Sequence, residues 1–187
     1  MLARELVRQA VLLAARDELG LATRDELLGD ASAEGKGNAS ADFGLVLRIN
    51  GPVSVKVDRD DAEKRVLLDR DVLPGASIHE LVDLASAAEG LSRTEFPQFL
   101  RALGVEGKPN ALRPEADVPG SVERQLESLG FVEPLAAVRE LHAAIRKDGE
   151  SPARLGALVR GYAQLGVLSE YLWTPAHRVF KARAFLY

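Results

Sequence analysis

The 187 residues carry 24 basic and 28 acidic side chains, for a net charge of −4, and no cysteine. A chain of this length supports its own core in one domain or two small ones without covalent staples. The lack of cysteine excludes a disulfide framework, a thiolate metal site and a cysteine nucleophile, and fits a reducing compartment such as the cytoplasm. The charge is unevenly spread. Residues 151–187 hold five basic residues and one acid, Glu170, for +4, which leaves 19 basic and 27 acidic residues, or −8, on residues 1–150. A nucleic-acid surface needs a basic face, so the chain as a whole is not expected to bind nucleic acid. The wealth of Ala, Leu, Gly and Arg is the bias of a GC-rich bacterial genome.

Leu2, Leu6, Val7, Ala10, Leu13 and Ala14 recur at helical spacing and predict an amphipathic helix over 2–18, ending near Gly20. Charges at Arg4, Glu5, Arg8, Arg16, Asp17 and Glu18 leave Ala10 to Ala15 as the longest apolar run, so neither a secretory leader nor a transmembrane segment is expected there. Thr23-Arg-Asp-Glu26 is a capping box that predicts a short helix through Leu28, stopped by Gly29. Residues 30–42 have no apolar periodicity and read as a linker. The period then changes to two. Phe43, Leu45, Leu47 and Ile49, then Val53, Val55 and Val57, alternate with other residues across Asn50-Gly51-Pro52, which predicts a hairpin. Residues 64–70 add a third strand, and Pro74-Gly75 closes the meander.

Beyond that point the pattern is helical. Ser77-Ile-His-Glu80 and Ser92-Arg-Thr-Glu95 are capping boxes, predicting helices over 77–89 and 93–103 that stop at Gly90 and Gly104. Pro109, Pro114 and Pro119 mark 104–119 as a long loop. Helices follow at 121–129, 133–147, 152–168 and 175–187, the last two opened by Ser151-Pro152 and Thr174-Pro175. The final helix has no stop signal, from which the expectation is that its helix continues in a longer protein. The expected fold class is α+β, mainly α, with helices around a small three-stranded antiparallel meander and a helical C-terminal half. Residues 1–75 form the helix-plus-meander part and 76–187 the helical part, packed as one unit.

No nucleophile elbow, zinc helix, Walker loop or dinucleotide turn is present, so no catalytic residue and no cofactor is assigned. Asp58, Asp60, Asp61 and Glu63 are rich in oxygen ligands. Their spacing fails as a calcium loop, because Glu63 stands where the sixth-position glycine belongs. His79 and Asp83 share a helix face but are too few for a metal site, and His142 reads as a helix-surface or packing residue. The C-terminal stretch stands apart, with all three tyrosines, the single tryptophan and two of six phenylalanines. There Trp173, His177, Arg178, Lys181 and Arg183 are the expected partner- or anion-binding residues, since aromatic and basic groups at a helix N-terminus suit either ligand.

Leu155, Leu158, Tyr162 and Gly166, followed by Ala176 and Phe180, form a skeleton that resembles a tetratricopeptide-type helix–turn–helix over residues 151–187. The resemblance implies a protein–protein interaction surface. The expected function is a non-enzymatic interaction or scaffold module whose partner is another protein or the rest of a longer chain. The alternative is a small-ligand protein or enzyme with an anion site where loop 104–119 meets His177.

Overall fold

The computed structural model describes residues 2–17, 45–50, 54–59, 66–71, 81–102, 107–172 and 174–187. Seven α-helical segments lie among them: α1 Leu2–Asp17, α2 Leu81–Gly90, α3 Phe96–Ala102, α4 Gly120–Leu126, α5 Val132–Asp148, α6 Pro152–Leu168 and α7 Ala176–Leu186. A π-helical turn, Leu91–Glu95, joins α2 to α3 in one rod. The expected short helix at 23–28 and the linker at 30–42 lie outside the described residues.

The break expected at Gly90 is corrected by the same rod. A C-terminal glycine ends a helix by turning left-handed, whereas Gly90 stays right-handed at φ −55° and ψ −51°. Ser92, expected to cap a new helix, donates its hydroxyl back to the Glu89 carbonyl at 3.0 Å. Leu91, Ser92, Phe96 and Leu100 are all buried along this rod.

The α+β fold class is also corrected. Over the residues whose side chains are described, the chain is 75% helical, in six rods, with no strand. Elsewhere the backbone forms strands β1 Leu45–Asn50, β2 Ser54–Arg59 and β3 Val66–Asp71, antiparallel in the order β1-β2-β3. The described core is built from helices. The physical reason lies in the helix stripes. On α1, Leu6, Val7, Ala10, Val11, Leu13 and Ala14 are all buried, and the helices packed against α1 are α7 and the α2–α3 rod. An apolar face that finds helical partners needs no sheet to cover it.

The C-terminal helices are packed most closely. Val122, Leu126, Ala137, Val138, Leu141, Ile145, Leu158, Tyr162, Leu165 and Phe180 form one cluster across α4 to α7. Ser151 caps α6 by accepting the Arg154 amide at 3.2 Å, with Pro152 in the first turn. Gly149 ends α5 at φ 100°, and a Cβ there would strike the Ala111 carbonyl. At Gly161 a Cβ would stand 2.7 Å from Val138 Cγ2, so α6 approaches α5 through the bare backbone. Gly161→Ala gains helix propensity but forces those side chains apart. The net expectation is a loss of about 1 kcal/mol, measured by urea unfolding.

Loop residues 107–119 strap the far end of this layer. The Asn110 amide donates to the Asp17 carbonyl at 3.1 Å, the Arg113 amide donates to the carbonyl of Glu150 in the α5–α6 connection, and the Glu150 amide donates to the Ala111 carbonyl, at 2.7 Å each. Arg154, buried, donates to the carbonyls of Asp117, Ala144 and Gly149.

Candidate functional site

Polar residues recur on the apolar faces of three helices. On α1, Glu5, Gln9 and Arg16 are spaced four and seven apart, which places them on one stripe. All three are buried. On α5, His142 follows Val138 by four. On α7, Arg183 follows Phe180 by three and Ala176 by seven, so it too stands on the buried face. Tyr162 of α6 meets them, at 1% exposure.

These groups form one hydrogen-bonded seam. Arg183 donates from Nε to Gln9 Oε1 at 2.8 Å and from Nη1 to Tyr162 Oη at 2.9 Å. Gln9 donates in turn to Glu5 at 2.7 Å. Tyr162 Oη lies 2.7 Å from His142 Nε2, and Arg16 Nη1 lies 3.5 Å from the same nitrogen. Arg16 grips the Asp17 carboxylate with two nitrogens, at 2.8 and 3.2 Å, and Tyr187 Oη donates to that carboxylate at 3.0 Å. The Tyr187 and Tyr162 rings stack 5.9 Å apart at 3°.

Donor counting assigns the tautomer. A guanidinium only donates, so His142 Nε2 is the acceptor and the ring proton sits on Nδ1. Tyr162 then accepts from Arg183 and donates to His142. Burial, first, and then the positive charges of Arg16, Arg183 and Arg146 hold the His142 pKa well below the ordinary imidazole value. A neutral imidazole whose free lone pair already faces two donors, and which is 3% exposed, has no reach to an outside substrate. The seam is therefore a locking device for α1, α5, α6 and α7 rather than a catalytic centre.

Where the seam nears the surface it borders a cleft of about 70 Å³, lined by Ala10, Leu13, Ala14, Asp17, Glu89, Ser92, Arg93, Leu186 and Tyr187. That is well below the 300–1,000 Å³ of ordinary small-molecule pockets. No group of three or more metal-binding side chains occurs among the described residues.

The residues expected at the site are dispersed. Trp173 and His79 lie outside the described residues. His177, Arg178 and Lys181 share one half-exposed face at the start of α7, with His177 Nδ1 3.1 Å from the Thr174 carbonyl and Lys181 paired to Glu170 at 3.3 Å. Arg183 turns away from them into the seam. Loop 107–119 is bound at the start of α6, whereas His177 follows its end. A helix of 17 residues, about 25 Å long, separates the two halves of the expected anion site.

That end of α6 has a different character. Because α5 and α6 are antiparallel, the α4–α5 connection and the α6–α7 connection meet at one pole of the helical layer. There Gln164 reaches the Ser128 carbonyl, and the Phe131 and Phe180 rings stand 6.2 Å apart, edge to face. Leu129, Val132, Val167, Tyr171 and Leu172 are all exposed at this pole, from 48% for Leu172 to 88% for Leu129 and Tyr171. Sequence reading missed Leu129 and Val132, because their neighbours across the pole lie more than thirty positions on. No protein-family model, no curated protein and no solved structure matches this chain.

Proposed function

We propose that this chain is a non-enzymatic interaction module of a reducing compartment such as the cytoplasm, which docks another protein on the pole between the α4–α5 and α6–α7 connections. One observation carries the reading: of the eight large apolar side chains exposed among the described residues, five stand at a single end of the helical layer, while Val82, Leu112 and Phe185 are scattered singly. Clustered apolar exposure of this kind marks contact surfaces on soluble proteins. The rim carries both signs. Glu127 and Glu133 are exposed beside the α4–α5 turn, and Arg178 and Lys181 lie on the α7 side. The fitting occupant is an amphipathic segment of another protein, apolar toward Val167 and Tyr171, basic toward Glu133 and acidic toward Arg178. The tetratricopeptide-like pattern of α6 and α7 points the same way. No helix among the described residues is long and apolar enough to cross a membrane.

The test is comparative capture with the wild type and the double variant Val167→Asp, Tyr171→Ser. Both positions are on the surface, so unfolding free energy is expected to stay within about 0.5 kcal/mol per site. Proteins retained by the wild type are expected to be lost from the variant. Retention of the same proteins at the same yield overturns the proposal.

A further inference from the structure

The rod that runs from α2 into α3 gathers several causes of helix bending at one place. Gly90 stands inside it in right-handed backbone, and a Cβ there would meet nothing within 4 Å, so neither conformation nor crowding calls for glycine. The turn that follows, Leu91–Glu95, is π-helical, a rare wide form that occurs chiefly at functional sites. The Ser92 hydroxyl donates to the Glu89 carbonyl at 3.0 Å and the Thr94 hydroxyl to the Gly90 carbonyl, bonds of a kind that bend helices. Pro97 has no amide to give to the turn behind it. Glycine near serine, a π-turn and proline are each a recognised cause of kinks, and here all lie within residues 90–97.

The two arms of the rod are seated on α1. α2 rests on α1 and α7, with Ala88 buried, and α3 rests on α1, with Phe96, Pro97 and Leu100 buried. Beside the π-turn lies the cleft of about 70 Å³, with Ala10, Leu13 and Ala14 on the α1 side and Glu89, Ser92 and Arg93 on the rod. Packed interiors resist deformation, so this gap is what lets the turn bend without compressing side chains. The exposed Glu89–Arg93 pair, at 3.1 Å, spans the start of the turn and holds it only weakly.

We propose that residues 90–97 are a hinge, on which α3 swings off α1 as a flap while α2 stays docked. Opening bares Phe96 and Leu100 and widens the cleft into an apolar groove along α1. Gly90 serves this motion directly, since glycine disfavours the straight rod by about fivefold relative to alanine.

The chain has no cysteine, so a single introduced thiol reports opening at a chosen place. Leu100→Cys, labelled with a thiol reagent under native conditions, is expected to react about tenfold or more faster than Val138→Cys in the α5 core, because the flap opens without global unfolding. Adding Gly90→Ala should slow labelling at position 100 about fivefold. Gly156→Ala is the control. It replaces a glycine of α6 that likewise has nothing within 4 Å of a Cβ, so it strengthens a helix to the same degree and is expected to leave labelling at position 100 unchanged. Hydrogen exchange of the Phe96 amide, which donates to the Leu91 carbonyl across the π-turn, repeats the glycine comparison in the chain without a thiol. Equal labelling at positions 100 and 138, no slowing by Gly90→Ala, or the same slowing by both alanine variants overturns the proposal. None of these outcomes bears on the docking pole.

Discussion

Arg183→Met is expected to destabilise the protein by about 3 kcal/mol, while Arg178→Met, five residues earlier on the same helix, changes stability by no more than about 0.5 kcal/mol. Arg183 is 5% exposed and donates to Gln9 and Tyr162. Methionine matches the stem of arginine but donates nothing, so the Gln9 carbonyl loses its Arg183 donor inside the core and Tyr162 keeps only its bond to His142. Each buried polar group stripped of its partner costs about 1–3 kcal/mol. Arg178 is half-exposed on the opposite face and has no such dependants. Urea unfolding of the two variants measures the contrast. Equal losses at the two positions would show that Arg183 is not held in the seam.

The second expectation concerns acid. His142 is neutral in the folded protein because burial and three neighbouring arginines oppose its protonation. In the unfolded chain it titrates near pH 6.5. The folded pKa lies below the unfolded one, so above pH 6.5 both states carry the neutral ring and the group has no effect on the pH dependence. Below pH 6.5 the unfolded state binds the proton first. Stability then falls as pH falls, at up to about 1.4 kcal/mol per pH unit, until the folded pKa is reached. The loss accumulates over the interval between pH 6.5 and the lower folded pKa. Unfolding free energies of the wild type and His142→Gln, compared across that interval, isolate the contribution: the variant is expected to show a flatter curve. In Arg183→Met the slope persists to a lesser depth, since one of the opposing charges is gone. Parallel curves for the wild type and His142→Gln would rule out a buried neutral His142.

What could be read from the sequence was local. Ser151-Pro152 marks the start of α6 because a cap and its helix lie within four residues of each other, and the α1 stripe is legible because its apolar residues repeat every three or four positions. Gly90 misled because glycine ends a helix only when the backbone turns left-handed, and what decides that is packing against α1, far away in sequence. The sheet was assigned a central place because alternating residues need a covered face. Which face gets covered is settled by competition among all the elements, and the helices cover one another. The seam was hidden for the same reason. His142 meets Tyr162 twenty positions on and Arg16 126 positions back, and no motif of fixed spacing records such a meeting. One clue was available: Glu5, Gln9 and Arg16 share a helical stripe, and Arg183 falls in register with Ala176 and Phe180. Grouping Arg183 with Arg178 and Lys181 by adjacency ignored the 100° turn per residue that separates their faces.

Gln9 and Arg183 are 174 positions apart, and Asp17 and Tyr187 are 170 apart. α1 is therefore made well before α7, and Gln9 and Asp17 wait through that interval for Arg183 and Tyr187. Through that interval α1 presents an oily stripe without the helices that cover it. Contacts of such separation close slowly, because the loop entropy is lost before the contact energy is gained. The seam thus makes α1 a late arrival in folding, and the nascent chain a natural client for chaperones until α7 is made.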